Sequence, residues 1–167
     1  MRLLVTGGLG FIGSNFIQKL LSENSHLEIL NVDAELDGSN QKNLENLKDL
    51  ENYEFVKGNI SNKALMEEHI SKCDAVVNFA AQSHVDRSIN DANPFLISNI
   101  RGAFTILDIV TKQQKRMVQV STDEVFGSLS EGTATEQSRF NPSSPYAATK
   151  ASAESVSYTH LTLPTKA

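Results

Sequence analysis

The sequence predicts an α/β protein built on one doubly wound, parallel β-sheet. Two observations predict it: short continuous apolar runs alternate with segments of helical periodicity, and a glycine-rich turn separates the first run from the first helical segment. The 167 residues, 40% of them hydrophobic, suffice for one packed core of ordinary domain size. The chain shows no internal repeat and no linker, so we expect a single domain.

The first half of the chain predicts three strands and two helices. The strands fall at 3–5, 27–32 and 53–56, where each apolar run is short enough for a buried parallel strand. The first helix spans 11–23, because its apolar residues recur at helical spacing. Those residues are Ile12, Phe16, Ile17, Leu20 and Leu21. A second amphipathic pattern predicts a helix around 65–70.

The second half of the chain alternates in the same way. We predict strands at 75–79 and 117–121, with a long helix between them over 94–114. Pro94 suits the first turn of that helix. Its predicted apolar face comprises Phe95, Leu96, Ile100, Phe104, Leu107 and Val110. A last helix begins at Pro145.

Composition excludes several classes of function. The formal net charge of −5, without a cluster of Lys and Arg, argues against nucleic acid or a membrane surface as partner. Cys73 is the only cysteine, which excludes a disulfide framework and a cysteine-rich zinc site. No histidine has ligand partners at metal spacing, so we expect no metal. Without a transmembrane run or a signal peptide, the expected location is the cytoplasm.

A glycine-rich turn at 7–13 joins the first strand to the first helix. Because Gly7, Gly10 and Gly13 lack Cβ atoms, a pyrophosphate can approach the backbone N–H groups at the positive end of the helix. Asp33 ends the second strand, where a carboxylate can bind a ribose diol and repel a 2′-phosphate. Together these residues predict a Rossmann-like site that prefers NAD to NADP. Asp33 alone would equally suit a solvated acid at a strand end.

Tyr146 and Lys150 lie four residues apart in the last predicted helix and therefore share one face. A cation beside a phenol favours tyrosinate, so we expect the pKa of Tyr146 to lie below its ordinary value of about 10. Such a pair can remove a hydroxyl proton during hydride transfer. The same spacing also occurs by chance on exposed helices, and its place after the fifth strand favours the functional interpretation.

Thr122, Asp123 and Glu124 follow the fifth predicted strand directly. Ligands of open parallel sheets bind at this carboxyl edge. Two carboxyl groups can divide the roles of acid and base when their environments separate their pKa values. A solvated acidic loop is the alternative, and without the neighbouring motifs it would be the better interpretation.

Four segments resemble the extended short-chain dehydrogenase/reductase family, which contains NAD-dependent epimerases and dehydratases. The segments are 5–14, 80–88, 121–127 and 142–152. The Thr-Asp-Glu triplet at 122–124 discriminates within the family, because it resembles the triplet of the branch that dehydrates dTDP-glucose. The 4-epimerases lack the acid pair.

The resemblance implies NAD as cofactor and a nucleotide sugar as substrate, with dTDP-glucose converted to dTDP-4-keto-6-deoxyglucose and water. It implies that Tyr146, supported by Lys150 and Thr122, accepts the O4 proton. Glu124 would then remove the C5 proton, and Asp123 would protonate the leaving C6 hydroxyl. The implied cofactor contacts are Phe11, Ile12, Asp33, Asn59, Ile60, Ala80, Ala81, Ser83, Ser98, Tyr146 and Lys150. The implied substrate contacts are Ser83 and Thr122.

The chain departs from the family in two places. In the loop after Asp33, Asp37 precedes Gly38 where relatives carry an aromatic residue, and the second departure lies beside the adenine. Relatives carry Asp-Ile beside the adenine after the third strand, where this chain has Asn59-Ile60. Because an amide can donate and accept hydrogen bonds, we expect adenine recognition to be weakened but retained.

The resemblance also bears on length, because members of the family are about twice as long. We therefore expect a fragment that lacks the last strands and the substrate domain, is inactive by itself, and belongs to a homodimeric protein. Residues 1–155 would form the truncated NAD-binding domain. Residues 156–167 lose helical periodicity and are similar to translated adapter DNA, so we hypothesise that they are a non-native tail. A genuine stop codon after Ala167 at the source locus would reject this hypothesis.

Two other functions remain open at this point. A nucleotide-sugar 4-epimerase or decarboxylase would need Tyr146 and Lys150 but no acid pair. A non-catalytic NAD-binding module on the same fold would need neither pair, and the substitutions Asp123→Asn and Glu124→Gln would cost it nothing.

Overall fold

The structure is a computed structural model that describes residues 1–129 and 131–161. It contains a five-stranded parallel sheet in the order β3-β2-β1-β4-β5. The strands are β1 (Arg2–Thr6), β2 (Glu28–Asp33), β3 (Tyr53–Lys57), β4 (Ala75–Asn78) and β5 (Arg116–Gln119). Every predicted strand is confirmed, with bounds shifted by no more than two residues.

Helices cover both faces of the sheet. They are α1 (Phe11–Glu23), α2 (Lys63–Ser71), α3 (Val85–Asn90), α4 (Asn93–Phe95), α5 (Ala103–Lys112) and α6 (Pro145–Leu161), with 3₁₀ turns at Gln41–Leu47 and Asp123–Phe126. The strand order reverses beside β1, which pairs with both β2 and β4. The helix α1 packs on one face and α2 and α5 pack on the other, so the predicted doubly wound fold is confirmed.

Two apolar clusters form the core, one on each face of the sheet. Successive strand residues point to opposite faces, so Leu4 enters one cluster while Leu3 and Val5 enter the other. The first cluster joins the sheet to α2 and α5 through Met66, Ile70, Ile106, Ile109 and Val110. The second joins it to α1 and the first 3₁₀ turn through Ile17, Leu21, Leu44 and Leu47. Within the two described ranges, no helix combines the length and the apolar character needed to cross a bilayer.

The long predicted helix is continuous but irregular. A π-helix, Leu96–Gly102, lies between α4 and α5. The wider turn changes which side chains face the core. The predicted apolar face is therefore wrong at Leu96 and Phe104, which are 46% and 47% exposed, whereas Asn99 is buried.

The last helix also differs from the prediction, because α6 continues past Ser155 to Leu161. Ser157 is buried there and its hydroxyl donates to the Ala153 carbonyl at 2.7 Å. The helix packs against α5 and β5, and this tertiary packing outweighs the weak local helix propensity. Residues 162–167 lie outside the described residues. The assignment of 156–167 as a non-native tail stays a prediction.

Candidate active site

A cavity of about 410 Å³ opens at the carboxyl ends of β1, β2 and β4. It lies where the strand order reverses, which is where open parallel sheets bind ligands. Every residue predicted to contact the cofactor lines this cavity. These residues are Gly7, Gly10, Phe11, Ile12, Gly13, Asp33, Asn59, Ile60, Ala80, Ala81, Ser83, Ser98, Tyr146 and Lys150.

Two glycines give the turn after β1 its shape. A Cβ on Gly7, whose φ is 73°, would lie 2.5 Å from the backbone nitrogen of Ala80. A Cβ on Gly13 would lie 2.4 Å from the Gly7 carbonyl oxygen. Both positions therefore require glycine. Gly10 is the N-cap of α1 and has no side chain to bond the first amides, which remain available to an anion.

Asn31, fully buried in β2, fixes the glycine turn through a hydrogen bond to its backbone. Its Oδ1 accepts a hydrogen bond from the backbone nitrogen of Gly8 at 3.1 Å. Its Nδ2 donates to the Tyr53 hydroxyl at 2.9 Å. A buried amide with both ends bonded fixes its neighbours strongly, because breaking either bond leaves an unpaired polar group.

Asp33 holds the same turn and the loop after β2. Its Oδ2 accepts from the backbone nitrogen of Leu9 at 3.0 Å. Its Oδ1 accepts from the Glu35 backbone nitrogen and the Ser39 hydroxyl, each at 2.8 Å. Only 5% of the residue is exposed, and it lines the cavity. The carboxylate is thus fixed at the position that the sequence assigned to a ribose diol.

Asn78 fixes the loop that follows β4. Its Oδ1 accepts from the Thr6 hydroxyl and, at 3.1 Å, from the Ala80 backbone nitrogen. Its Nδ2 donates to Gln119 Oε1 at 2.8 Å. One buried amide thereby links β1, β4 and β5 beside the cavity.

Asn99 is a site residue that the sequence analysis missed. Its Oδ1 accepts from the Gln82 backbone nitrogen at 2.7 Å, and its Nδ2 donates to the Gln82 carbonyl at 2.9 Å. Nδ2 also donates to the Thr149 hydroxyl at 3.1 Å, next to Lys150. The π-helix Leu96–Gly102 turns Asn99 inward, and no sequence signal distinguished it from its polar neighbours Ser98 and Arg101.

Tyr146 and Lys150 lie together in the first turns of α6 and line the cavity. The backbone nitrogen of Tyr146 donates to the Ser88 hydroxyl at 3.0 Å, and its ring meets that of Phe95 edge-on with centroids 6.2 Å apart. The Lys150 Nζ donates to the Val120 carbonyl oxygen at 2.7 Å. The two side chains are therefore anchored to different elements.

The expected lowering of the Tyr146 pKa is wrong for this chain. Burial raises the pKa of Tyr146 above 10.0, the Thr122 hydroxyl lowers it in part, and Glu124 and Asp123 raise it further. Desolvation and two carboxylates disfavour tyrosinate more strongly than the sequence analysis allowed.

Lys150 is almost completely buried, with 5% of its surface exposed. Burial lowers the pKa of its ammonium group from 10.5 to about 8, and Glu154 opposes this shift. The Glu154 carboxylate accepts a hydrogen bond from the Ser121 hydroxyl, which keeps the acid close to the end of β5. A lysine with this pKa can change its charge near neutral pH.

The acid pair lies on the 3₁₀ turn Asp123–Phe126, just beyond the residues that line the cavity. Thr122 is the N-cap of this turn: its Oγ1 accepts from the Glu124 backbone nitrogen at 3.4 Å and donates to Asp123 Oδ1 at 3.3 Å. All three side chains influence the pKa of Tyr146. The hydroxyl and the two carboxyl groups are therefore close enough to the phenol to affect its protonation, on the turn that follows Ser121 in the cavity wall.

Residues 1–129 and 131–161 contain no cluster of side chains that could bind a metal ion. There, no group of three or more His, Cys, Asp or Glu side chains is arranged to hold an ion. Cys73 is buried, and burial raises the pKa of its thiol to about 11. A protonated thiol of this kind is unreactive.

The fold and the cavity together define a Rossmann-like protein of the doubly wound α/β class. The model of the GDP-mannose 4,6 dehydratase family matches residues 4–161. The chain therefore belongs to the GDP-mannose 4,6 dehydratase family, in agreement with the resemblance seen in its sequence.

Relatives and solved structures extend this assignment. The chain is 44% identical over 155 residues to the low-salt glycan biosynthesis protein Agl12 of Haloferax volcanii, covering 92% of the chain and 50% of that protein. It is 41% identical over 157 residues to a dTDP-glucose 4,6-dehydratase of Mycobacterium tuberculosis, covering 92% and 47%. Among solved structures, DesIV, the dTDP-glucose 4,6-dehydratase of Streptomyces venezuelae with NAD bound, superposes with a TM-score of 0.91 at 41% identity, covering 96% and 52%. The chain spans about half the length of these relatives.

Proposed function

We propose that the chain is the cofactor-binding half of a sugar-nucleotide 4,6-dehydratase that converts dTDP-glucose to dTDP-4-keto-6-deoxyglucose and water. One observation carries the proposal: every predicted cofactor contact lines one cavity, and Tyr146 in its wall is influenced by Thr122, Asp123 and Glu124 on the turn directly after Ser121 of that wall. The dTDP-glucose 4,6-dehydratase of Mycobacterium tuberculosis supports the choice of sugar nucleotide.

The cavity fits NAD as cofactor. The turn around Gly7 and the uncapped start of α1 suit a pyrophosphate, and the buried carboxylate of Asp33 suits a ribose diol rather than a phosphate ester. The similar structure DesIV holds NAD. When bound, NAD would supply the hydride acceptor for C4 of the sugar and the hydride donor for C6.

Tyr146 is positioned to accept the proton from O4 of the sugar. The Thr122 hydroxyl is the group that lowers its pKa, and it would hydrogen-bond the tyrosinate. Lys150 keeps its Nζ on the Val120 carbonyl, which leaves further N–H groups to contact a ligand in the cavity. Ser83 lines the cavity and offers a hydroxyl to cofactor or sugar.

The two carboxyl groups supply the dehydration. A 4-keto group acidifies the C5 proton, and Glu124 removes it. Asp123 protonates the C6 hydroxyl, which leaves as water, and the proton held by Glu124 returns to C5 when the hydride reaches C6. An epimerase or a decarboxylase does not need this pair, so the proximity of Asp123 and Glu124 to Tyr146 favours a dehydratase.

The proposal is tested on the full-length protein supplied with dTDP-glucose, with products identified by NMR. We expect the 4-keto-6-deoxy sugar nucleotide, and a loss of about 100-fold or more in kcat for Glu124→Gln or Asp123→Asn. Glu136→Gln, the same chemical change at an exposed position of the β5–α6 connection, should leave kcat unchanged. A C4 epimer as product would support the epimerase, and no turnover with intact NAD binding would support a binding module.

We also propose that the full-length protein is a homodimer that works in the cytoplasm, where NAD and nucleotide sugars occur together. Leu96, Ile97 and Phe104 are 46–47% exposed on neighbouring turns of one helical segment. Large exposed apolar side chains of this kind commonly mark a subunit interface. Light scattering should give the mass of a dimer, and Ile97→Arg should convert it to a monomer.

A further inference from the structure

Asn59 lies at the end of the cavity where a purine base would sit. If a pyrophosphate binds at the start of α1 and a ribose at Asp33, the base lies beyond Asp33. The next strand in that direction is β3, and the loop after it contributes Gly58, Asn59 and Ile60 to the cavity wall. Among these three residues, only Asn59 has a polar side chain.

The acceptor atom of the Asn59 side-chain amide, Oδ1, is already engaged in hydrogen bonds within the protein. Its Oδ1 accepts from the Ser61 backbone nitrogen at 2.9 Å and from the Ser61 hydroxyl at 2.8 Å. A backbone nitrogen only donates, so the reverse orientation of the amide would place two donors face to face. The orientation of Asn59 is therefore fixed by Ser61.

The Nδ2 group of Asn59 is the part left for a ligand. In the described part of the chain it donates to no protein acceptor, and it is not among the buried polar atoms without a partner. It is therefore accessible on a residue that lines the cavity. The base end of the cavity offers a hydrogen-bond donor and, from this side chain, no acceptor.

We propose that Asn59 sets the base specificity of the dinucleotide site, so that the site accepts hypoxanthine about as well as adenine. This inference rests on the proposed binding of NAD. Adenine offers acceptors at its ring nitrogens, and hypoxanthine offers O6, so a single N–H donor can bond either base. A carboxylate at the same position would instead accept from the adenine N6 amino group and repel O6 of hypoxanthine.

The test compares NAD with nicotinamide hypoxanthine dinucleotide by calorimetric titration of the 167-residue chain. For the natural sequence, we expect the two Kd values to agree within about threefold, because each base receives one hydrogen bond. In Asn59→Asp, one carboxylate oxygen keeps the bonds from Ser61 and the other faces the base. The ratio of Kd values should then shift at least about tenfold in favour of NAD.

Asn62→Asp is the matched control. It adds the same charge three residues away, keeps the N-cap of α2 because a carboxylate also accepts from the Leu65 backbone nitrogen, and lies outside the cavity wall. The added charge weakens both dinucleotides equally, so the ratio of Kd values should not change. Circular dichroism of each variant checks that it is folded.

The outcomes separate this inference from the proposed function. Binding of both dinucleotides with a ratio that Asn59→Asp leaves unchanged overturns the inference alone. A natural chain that prefers NAD by more than about tenfold also overturns it. A folded chain that binds neither dinucleotide overturns the proposed function as well.

A second variant covers the case in which Asn59→Asp does not fold. Asn59→Ala removes the donor from both bases, so both Kd values should rise by a similar factor, about three- to tenfold. Weakening of NAD alone would contradict the proposal.

Discussion

The two ends of the cavity are built differently. At the glycine-turn end, Asn31 and Asp33 are buried in β2, a strand paired on both sides, and each accepts a hydrogen bond from the backbone of the glycine turn. At the rim proposed for catalysis, the acid pair lies on a short 3₁₀ turn beyond β5, which is the edge strand of the described sheet. Asp123 is exposed there, and Val118 on β5 is 58% exposed. Cofactor binding is therefore expected of this chain, whereas turnover is expected of the full-length protein.

The largest effect should come from Gly7, where the glycine-turn end is most tightly packed. Gly7→Ala places a Cβ 2.5 Å from the Ala80 backbone at a positive φ, so we expect the free energy of unfolding to fall by about 3 kcal/mol or more. Gly132 has a similar φ of 79° but open space around it, so Gly132→Ala should cost only about 1 kcal/mol. Urea denaturation measures both, and equal losses would show that Gly7 meets no real obstruction.

Alanine substitutions of Asp33 and Asp123 compare the two ends of the cavity directly. Asp33→Ala leaves three donors without their acceptor in a buried site, which should cost about 2–3 kcal/mol of unfolding free energy. Asp123→Ala, on the exposed rim, should change stability by less than about 0.5 kcal/mol. Comparable losses in urea denaturation would contradict the distinction between a structural and a catalytic end.

Lys150 should reveal the cost of burying a charge for function. Its pKa falls from 10.5 to about 8 on folding, so at neutral pH the folded state carries a penalty of about 3 kcal/mol. Lys150→Met removes that penalty and loses one hydrogen bond, for a net gain of about 2 kcal/mol in stability below pH 8.

The burial of Lys150 also determines how the free energy of unfolding changes with pH. The unfolded chain binds more protons than the folded one between pH 8 and 10.5, so this group makes stability rise with pH across that window. Lys150→Met should lose this rise, and Lys42→Met, at an exposed position, should keep it. If Lys150→Met were less stable than the natural chain at pH 7, the account would be contradicted.

The smallest expected effects are on the pKa of Tyr146, followed by NMR of ring-labelled tyrosine. Thr122→Val removes the group that lowers this pKa and should raise it, whereas Glu124→Gln removes a carboxylate and should lower it. Tyr53, whose pKa responds to burial, Asn31 and Asp33, is the internal control and should not move. Equal shifts at both tyrosines would indicate a general change of structure.

The sequence predicted the features that depend on local patterns. The strands and the glycine turn were located because apolar runs and missing Cβ atoms act over a few residues. The aspartate that ends β2 was found because its spacing from the turn is fixed by one βα unit. Every predicted cofactor contact lines one cavity because the carboxyl ends of parallel strands share one edge.

The features that the sequence missed depend on contacts between distant segments. The role of Asn99 requires a π-helix, which follows the same apolar pattern as an α-helix until its register shifts. The direction of the Tyr146 pKa depends on burial and on two acids more than 20 residues away in the chain. The continuation of α6 past Ser155 depends on its packing against α5.

Calorimetric titration of the 167-residue chain with NAD tests the central claim most directly. The account predicts one NAD bound per chain, with binding strongly weakened by Asp33→Ala and retained in Glu124→Gln. A chain that is folded by circular dichroism and binds no NAD, or that binds it equally well without the Asp33 carboxylate, would contradict the account.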